Sequence, residues 1–124
     1  MNIPCALSFA AVVAVAAAVS PLSHAQTPVQ KEPSKLLVVW TSADREVALN
    51  MVFMYTFNAK KNGWWKDVRL LIWGPSAKLL SQDAELREYV KKMKQEGVEL
   101  LACKACADGY NASNSLAELG VDVK

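Results

Sequence analysis

Three short apolar runs constrain this chain most: residues 36–40 (LLVVW), 68–73 (VRLLIW) and 98–102 (VELLA). The first is unbroken, which is how a strand covered on both faces of a parallel sheet reads. Each run ends in a turn that can open a helix. After the first, Thr41 or Ser42 is placed to cap a helix with Asp44 and Glu46 in its first turn, where acidic groups meet free N–H groups. That helix extends to Lys61 and closes on Asn62-Gly63. Val47, Met51, Met54 and Tyr55 fall at helical spacing, with Val52 and Phe53 alongside. A helix so apolar around its circumference is covered by the sheet and by something else, either a subunit contact or a second core face. Trp64-Trp65 reads as packing at a strand entrance or as an interface patch.

The second run leads through Gly74-Pro75-Ser76 into a helix that breaks near Ser81-Gln82 and resumes over residues 83–96, with Leu86, Tyr89, Val90 and Met93 on one face and Gly97 as its stop. The third run leads through two cysteines into a short helix ending near Gly109. Ser113 or Ser115 caps another over residues 116–119, closed by Gly120, and residues 121–123 form a fourth strand. The order βαβαβαβ predicts an α/β fold: three layers, a mostly parallel sheet, and helices on both faces through right-handed crossovers. The turns at Thr41-Ser42, Gly74–Ser76 and Cys103–Cys106 would share the carboxyl edge of the sheet, where such folds place ligands and chemistry.

Residues 1–25 read as a signal peptide. They contain an apolar run over residues 6–19, a Ser20-Pro21 break and Ser23-His24-Ala25 before the expected cut, although no Lys or Arg precedes the run. Residues 26–34, with Pro28 and Pro33, form a flexible leader, and residues 35–124 form the domain. The expected location is periplasmic or secreted, with no membrane association after cleavage; the alternative is an uncleaved anchor. All 14 basic and 12 acidic residues follow Ala25, so the mature chain keeps a net charge of +2, too weak and mixed for a nucleic-acid partner.

Cleavage also removes Cys5 and the single histidine, His24. What remains excludes a Ser-His-Asp triad, a Cys-His dyad and a His-ligated metal. Ala107 after Cys106 excludes covalent haem. The chemistry left is Cys103-Lys104-Ala105-Cys106. Cys103 occupies an N-cap position, where free amides favour a thiolate, and Lys104 adds positive charge. Cys106 is close enough to attack a mixed disulfide or persulfide on Cys103. Thr41, Ser42, Gly74 and Ser76 would line the site with backbone and hydroxyl groups but supply no acid or base. Reversible thiol or sulfur chemistry competes here with a structural disulfide, a metal site completed by another subunit, and inert thiols. No cofactor is expected. A thioredoxin-type oxidoreductase fits poorly, because the motif lies in the third strand–helix turn and no cis-proline segment follows it.

Residues 36–124 resemble the DsrE/DsrF-like proteins, which include the TusD sulfur-relay group and the YchN-like proteins. The likeness is carried by LLVVWTSADREVALNMVFMYTFNAKKNGWW, VRLLIWGPSAKLL and GVELLACKACADGY, in that order. It implies a small α/β fold of flavodoxin-like topology, assembled as trimers or hexamers. It also implies a cysteine after the third strand that carries sulfur as a persulfide, the position of Cys103. Some members show Cys-x-x-Cys followed by Tyr, matched here by Cys103, Cys106 and Tyr110. The expectation is a sulfur carrier whose partner is a donor or acceptor protein or a small sulfur compound. The alternative is a non-catalytic oligomeric binding module with a structural Cys103–Cys106 disulfide. Two features depart from the family pattern: the export signal, and an end at Lys124 where relatives usually continue into another strand and helix, so that either the sequence is truncated or the sheet has a short edge open to pairing.

Overall fold

The first strand enters its sheet one residue before it becomes regular, where the Ser34 carbonyl accepts the Asp67 N–H at 2.9 Å. The computed structural model describes residues 34–124, so the expected signal peptide and the leader up to residue 33 lie outside the described residues. The strands are β1 (Lys35–Trp40), β2 (Asp67–Ile72), β3 (Glu99–Ala102) and β4 (Asp122–Val123). They form one sheet in the order β1-β2-β3-β4 with every pair parallel. Helix α1 has three segments: Arg45–Val47, a π-helical stretch Ala48–Phe53, and Met54–Lys61. Then follow α2 (Pro75–Gln82), α3 (Ala84–Glu96), α4 (Lys104–Gly109) and α5 (Ser113–Glu118). This is the expected α/β fold with a parallel sheet.

Strand order decides where the helices go. Each crossover steps the same way along the sheet, and right-handed connections then fall on the same side. Contacts between helices agree: Phe53 of α1 packs on Tyr89 of α3 with ring centroids 5.3 Å apart, and Arg87 of α3 bonds Ser115 of α5. Beneath them lie Trp40, Val68, Leu70, Ile72, Leu100 and Ala102, all buried. Of the residues of opposite parity in register on the strands, Leu37, Val39, Arg69 and Glu99 are exposed and Leu71 and Leu101 half-buried. Among the described residues, one layer of helices is in place and the opposite face of the sheet is open.

Two local expectations are corrected. Asp44, not Thr41 or Ser42, caps α1: its carboxylate accepts the N–H groups of Glu46 and Val47 at 2.8 and 3.1 Å, while the Ser42 hydroxyl accepts the Asp44 N–H at 3.0 Å. A carboxylate that satisfies two orphan amides displaces a hydroxyl that could satisfy one. The inward face of α1 is also different. Ala48 and Phe53 are fully buried, whereas Met51, Met54 and Tyr55 are exposed. The buried pair is five residues apart, a spacing that a wider π turn brings to one side and an α turn does not. Phe53 meets Trp40 edge-on, centroids 4.9 Å apart.

Candidate functional site

Cys103 is the hinge residue between β3 and α4. Its N–H continues the sheet ladder to the Ile72 carbonyl at 3.1 Å, and its backbone is still extended (φ −66°, ψ 115°). The Cys103 carbonyl then accepts the Ala107 N–H at 3.0 Å, which closes the first helical turn. Cys103 Sγ accepts the Cys106 N–H at 3.4 Å, and the Cys106 thiol donates to Cys103 Sγ at 2.9 Å. Both thiols are free and partly exposed.

The contacts make the two sulfurs unequal. The hydrogen bond from the Cys106 thiol, then the Cys106 and Ala105 amides, hold the Cys103 pKa below the ordinary thiol value. The Cys106 pKa is raised, first because its proton is engaged by Cys103 and then by partial burial; the Gly74 N–H offsets part of this. Thiolate character therefore favours Cys103 over Cys106.

The neighbours named from sequence fall in different places. The Gly74 amide lowers the Cys106 pKa, and Gly74 holds a backbone conformation (φ 72°, ψ −137°) that only glycine adopts readily. Tyr110 stands one turn after Cys106, and with Ala43, Pro75, Lys78, Leu79 and Gln82 it lines a groove of about 350 Å³. Thr41 and Ser42 follow β1, two strands from β3, so at the usual spacing they stand roughly 10 Å from the thiols. They border the edge without touching the pair.

Ser76 is not a substrate contact. It is fully buried, and its hydroxyl donates to the Trp40 carbonyl at 2.6 Å while accepting the Trp73 N–H at 3.1 Å. It ties the ends of β1 and β2 together. Lys104 turns away from the thiols to Asp108, at 2.9 and 3.2 Å, and is not among the groups that lower the Cys103 pKa. Its backbone N–H donates to the Lys124 carbonyl at 3.1 Å.

One neighbour was not read from sequence. Ile72 pairs with Ala102, so the next residues on the two strands, Trp73 and Cys103, lie side by side at the sheet end. Trp73 is half exposed. Equal offset from the ends of adjacent strands is the signal that identifies it, and using that signal requires the register. Among the described residues, no three His, Cys, Asp or Glu side chains gather to hold a metal ion, and no helix is long and apolar enough to cross a membrane.

A solved structure shares this architecture. A conserved protein of unknown function from Bacteroides thetaiotaomicron is 32% identical, with a TM-score of 0.72, over 73% of this chain and 78% of that one. No family model and no curated protein matches the chain.

Proposed function

We propose that this chain, which belongs to the same family as the Bacteroides thetaiotaomicron protein, is an exported sulfur carrier that holds sulfane sulfur as a persulfide on Cys103. The observation that carries the reading is the 2.9 Å hydrogen bond from the Cys106 thiol to Cys103 Sγ, which separates a nucleophilic sulfur from a protonated one. The DsrE-like resemblance supports the same reading and implies assembly of copies as a trimer or hexamer.

The chemistry is a sequence of sulfur displacements. The Cys103 thiolate attacks the outer sulfur of a donor persulfide, R–S–SH. A Cys103 S–S bond forms, the donor S–S bond breaks, and R–S⁻ leaves and takes up a proton. An acceptor thiolate can then remove the outer sulfur and return Cys103 to its thiolate with no net redox change. Alternatively, Cys106 loses its proton and attacks Cys103 Sγ. Hydrogen sulfide then leaves, the sulfane sulfur is reduced, and the two thiols are oxidised to a disulfide that a dithiol reductant must reopen. The site provides no acid or base beyond these thiols, which suits a carrier better than a hydrolase.

Intact mass of the protein purified from the periplasm without reductant, before and after exposure to polysulfide, tests this reading. The expected result is a gain of one sulfur atom that reductant removes and Cys103→Ser abolishes. Equal loading of Cys103→Ser overturns it. A mass two hydrogens below the reduced form, unmoved by any sulfur donor, transfers the function to a binding module with a structural disulfide. The same spectrum reads the expected start at Gln26.

A further inference from the structure

The open face of the sheet carries Leu37, Val39, Leu71, Leu101 and Trp73. Leu37, Val39 and Trp73 are 53%, 43% and 51% exposed; register places Leu37, Val39, Leu71 and Leu101 on one side of the strands, and Trp73 follows directly after Ile72. Parallel sheets occur almost only with both faces covered. The unbroken run LLVVW carries the sequence signature of such double burial, yet among the described residues the helices cover only the side of Trp40 and its parity neighbours.

We propose that this face is covered by a second copy of the chain, packed sheet against sheet, with the Trp73–Cys103 end at the rim of the contact. The inference gives the proposed assembly a surface and does not depend on the thiol chemistry.

Three features favour a second copy. The first is size: at about half exposure or less the five apolar side chains offer roughly 400 Å² per copy, and the half-exposed Arg69, Glu99, Asp122 and Lys124 beside them extend the face towards the ~800 Å² per partner of a standard interface. The second is charge. Below the apolar patch stand Lys35 and Arg69 with Asp67 and Glu99, and Arg69 Nε is 2.7 Å from Glu99; at the far edge Asp122 pairs with Lys124 at 2.5 Å. The signs balance, so the face meets its own copy without net repulsion. The third is geometry: a two-fold contact sets one patch against itself, and aligned sheets pack at about 10 Å.

Light scattering coupled to size exclusion, on the full chain across a concentration series, tests the proposal. The wild type is expected at a multiple of the chain mass. Val39→Lys and Leu71→Lys are expected to run at one chain mass with unchanged circular dichroism, and to let a neutral alkylating reagent reach Cys103 several-fold faster. Leu37→Lys, at the most exposed of the five positions, repeats the measurement if Leu71→Lys lowers the melting transition. Met51→Lys, in the groove of α1, is expected to stay associated. A wild type at one chain mass overturns both this surface and the assembly. Association that survives Val39→Lys and Leu37→Lys, or that only Met51→Lys breaks, overturns the surface alone. A Cys103 alkylation rate equal in all forms overturns its place at the rim.

Discussion

At the scale of single residues, the site depends on how one sulfur stabilises the other. The largest influence on the Cys103 pKa is the hydrogen bond from the Cys106 thiol, so removing that donor undoes most of the effect. Alkylation of Cys103, followed by mass spectrometry over a pH series, is expected to show a midpoint below that of an ordinary free cysteine. Reactivity falls as pH drops through that midpoint, because the thiolate is the nucleophile. Cys106→Ala should move the midpoint up towards the ordinary value, whereas Cys106→Ser keeps a hydroxyl donor and should stay nearer wild type. An unmoved midpoint in Cys106→Ala would remove the thiol–thiol hydrogen bond as the cause. Gly74 is sensitive for a different reason. A Cβ there meets nothing within 4 Å, so the cost of Gly74→Ala is all backbone strain, on the order of 1–3 kcal/mol in denaturant unfolding. The Cys-x-x-Cys spacing was legible in the sequence because the turn geometry follows from it. The direction of Lys104 was not legible from its position beside Cys103, although its i,i+4 relation to Asp108 was there to be read. Ser76 misleads similarly: a hydroxyl in a loop looks available until the packing shows that it is spent on Trp40 and Trp73.

At the scale of elements, Asp83 shows how a polar side chain fixes two helices. It ends α2, caps α3 by accepting the Leu86 N–H at 3.0 Å, and receives Arg45 Nε from α1 at 2.9 Å. Its pKa is lowered first by the Leu86 amide and then by Arg45. A carboxyl group lowered in the folded state contributes stability above its unfolded pKa and loses it as pH falls through the folded one. Asp83→Ala should therefore cost about 0.5–2 kcal/mol near neutral pH, and the gap to wild type should close progressively below pH ~4. Denaturant midpoints at several pH values measure it; a gap that persists undiminished in acid would mean that charge is not involved. The start of this helix was readable, since Asp83 precedes an apolar stripe at 3.6-residue spacing. The face of α1 was not, because periodicity arguments assume an α turn, and its core residues Ala48 and Phe53 follow a π turn. Phe53 fills the space between Trp40 and Tyr89. Phe53→Ala is expected to cost about 3–5 kcal/mol, against less than ~0.5 kcal/mol for the exposed Met54→Ala.

At the scale of the whole molecule, the strand sequence was enough to give a parallel α/β sheet, because apolar runs between capped helices admit few other arrangements. The order of strands was not in those runs. It determines that β3 is interior, so its carboxyl end is held from both sides. On one side Cys103 bonds to the end of β2. On the other the chain returns through β4: the Lys124 N–H donates to the Ala102 carbonyl and the Lys104 N–H to the Lys124 carbonyl, each at 3.1 Å. The residues on either side of Cys103 are thus pinned by Lys124, about twenty positions away in sequence. A two-residue β4 adds little to the core, but it fixes the backbone from which Cys103 receives its amide hydrogen bond. Deleting residues 122–124 is therefore expected to leave the global unfolding transition nearly in place while the Lys104 amide loses protection in hydrogen exchange. The Cys103 alkylation midpoint should rise at the same time, because a looser turn presents the Cys106 thiol and amide less constantly. Phe53→Ala provides the contrast, with a large loss of stability and an unchanged thiol midpoint. If the deletion left both the Lys104 protection and the midpoint at wild-type values, the pairing of β4 with β3 would have no part in setting the reactivity of Cys103.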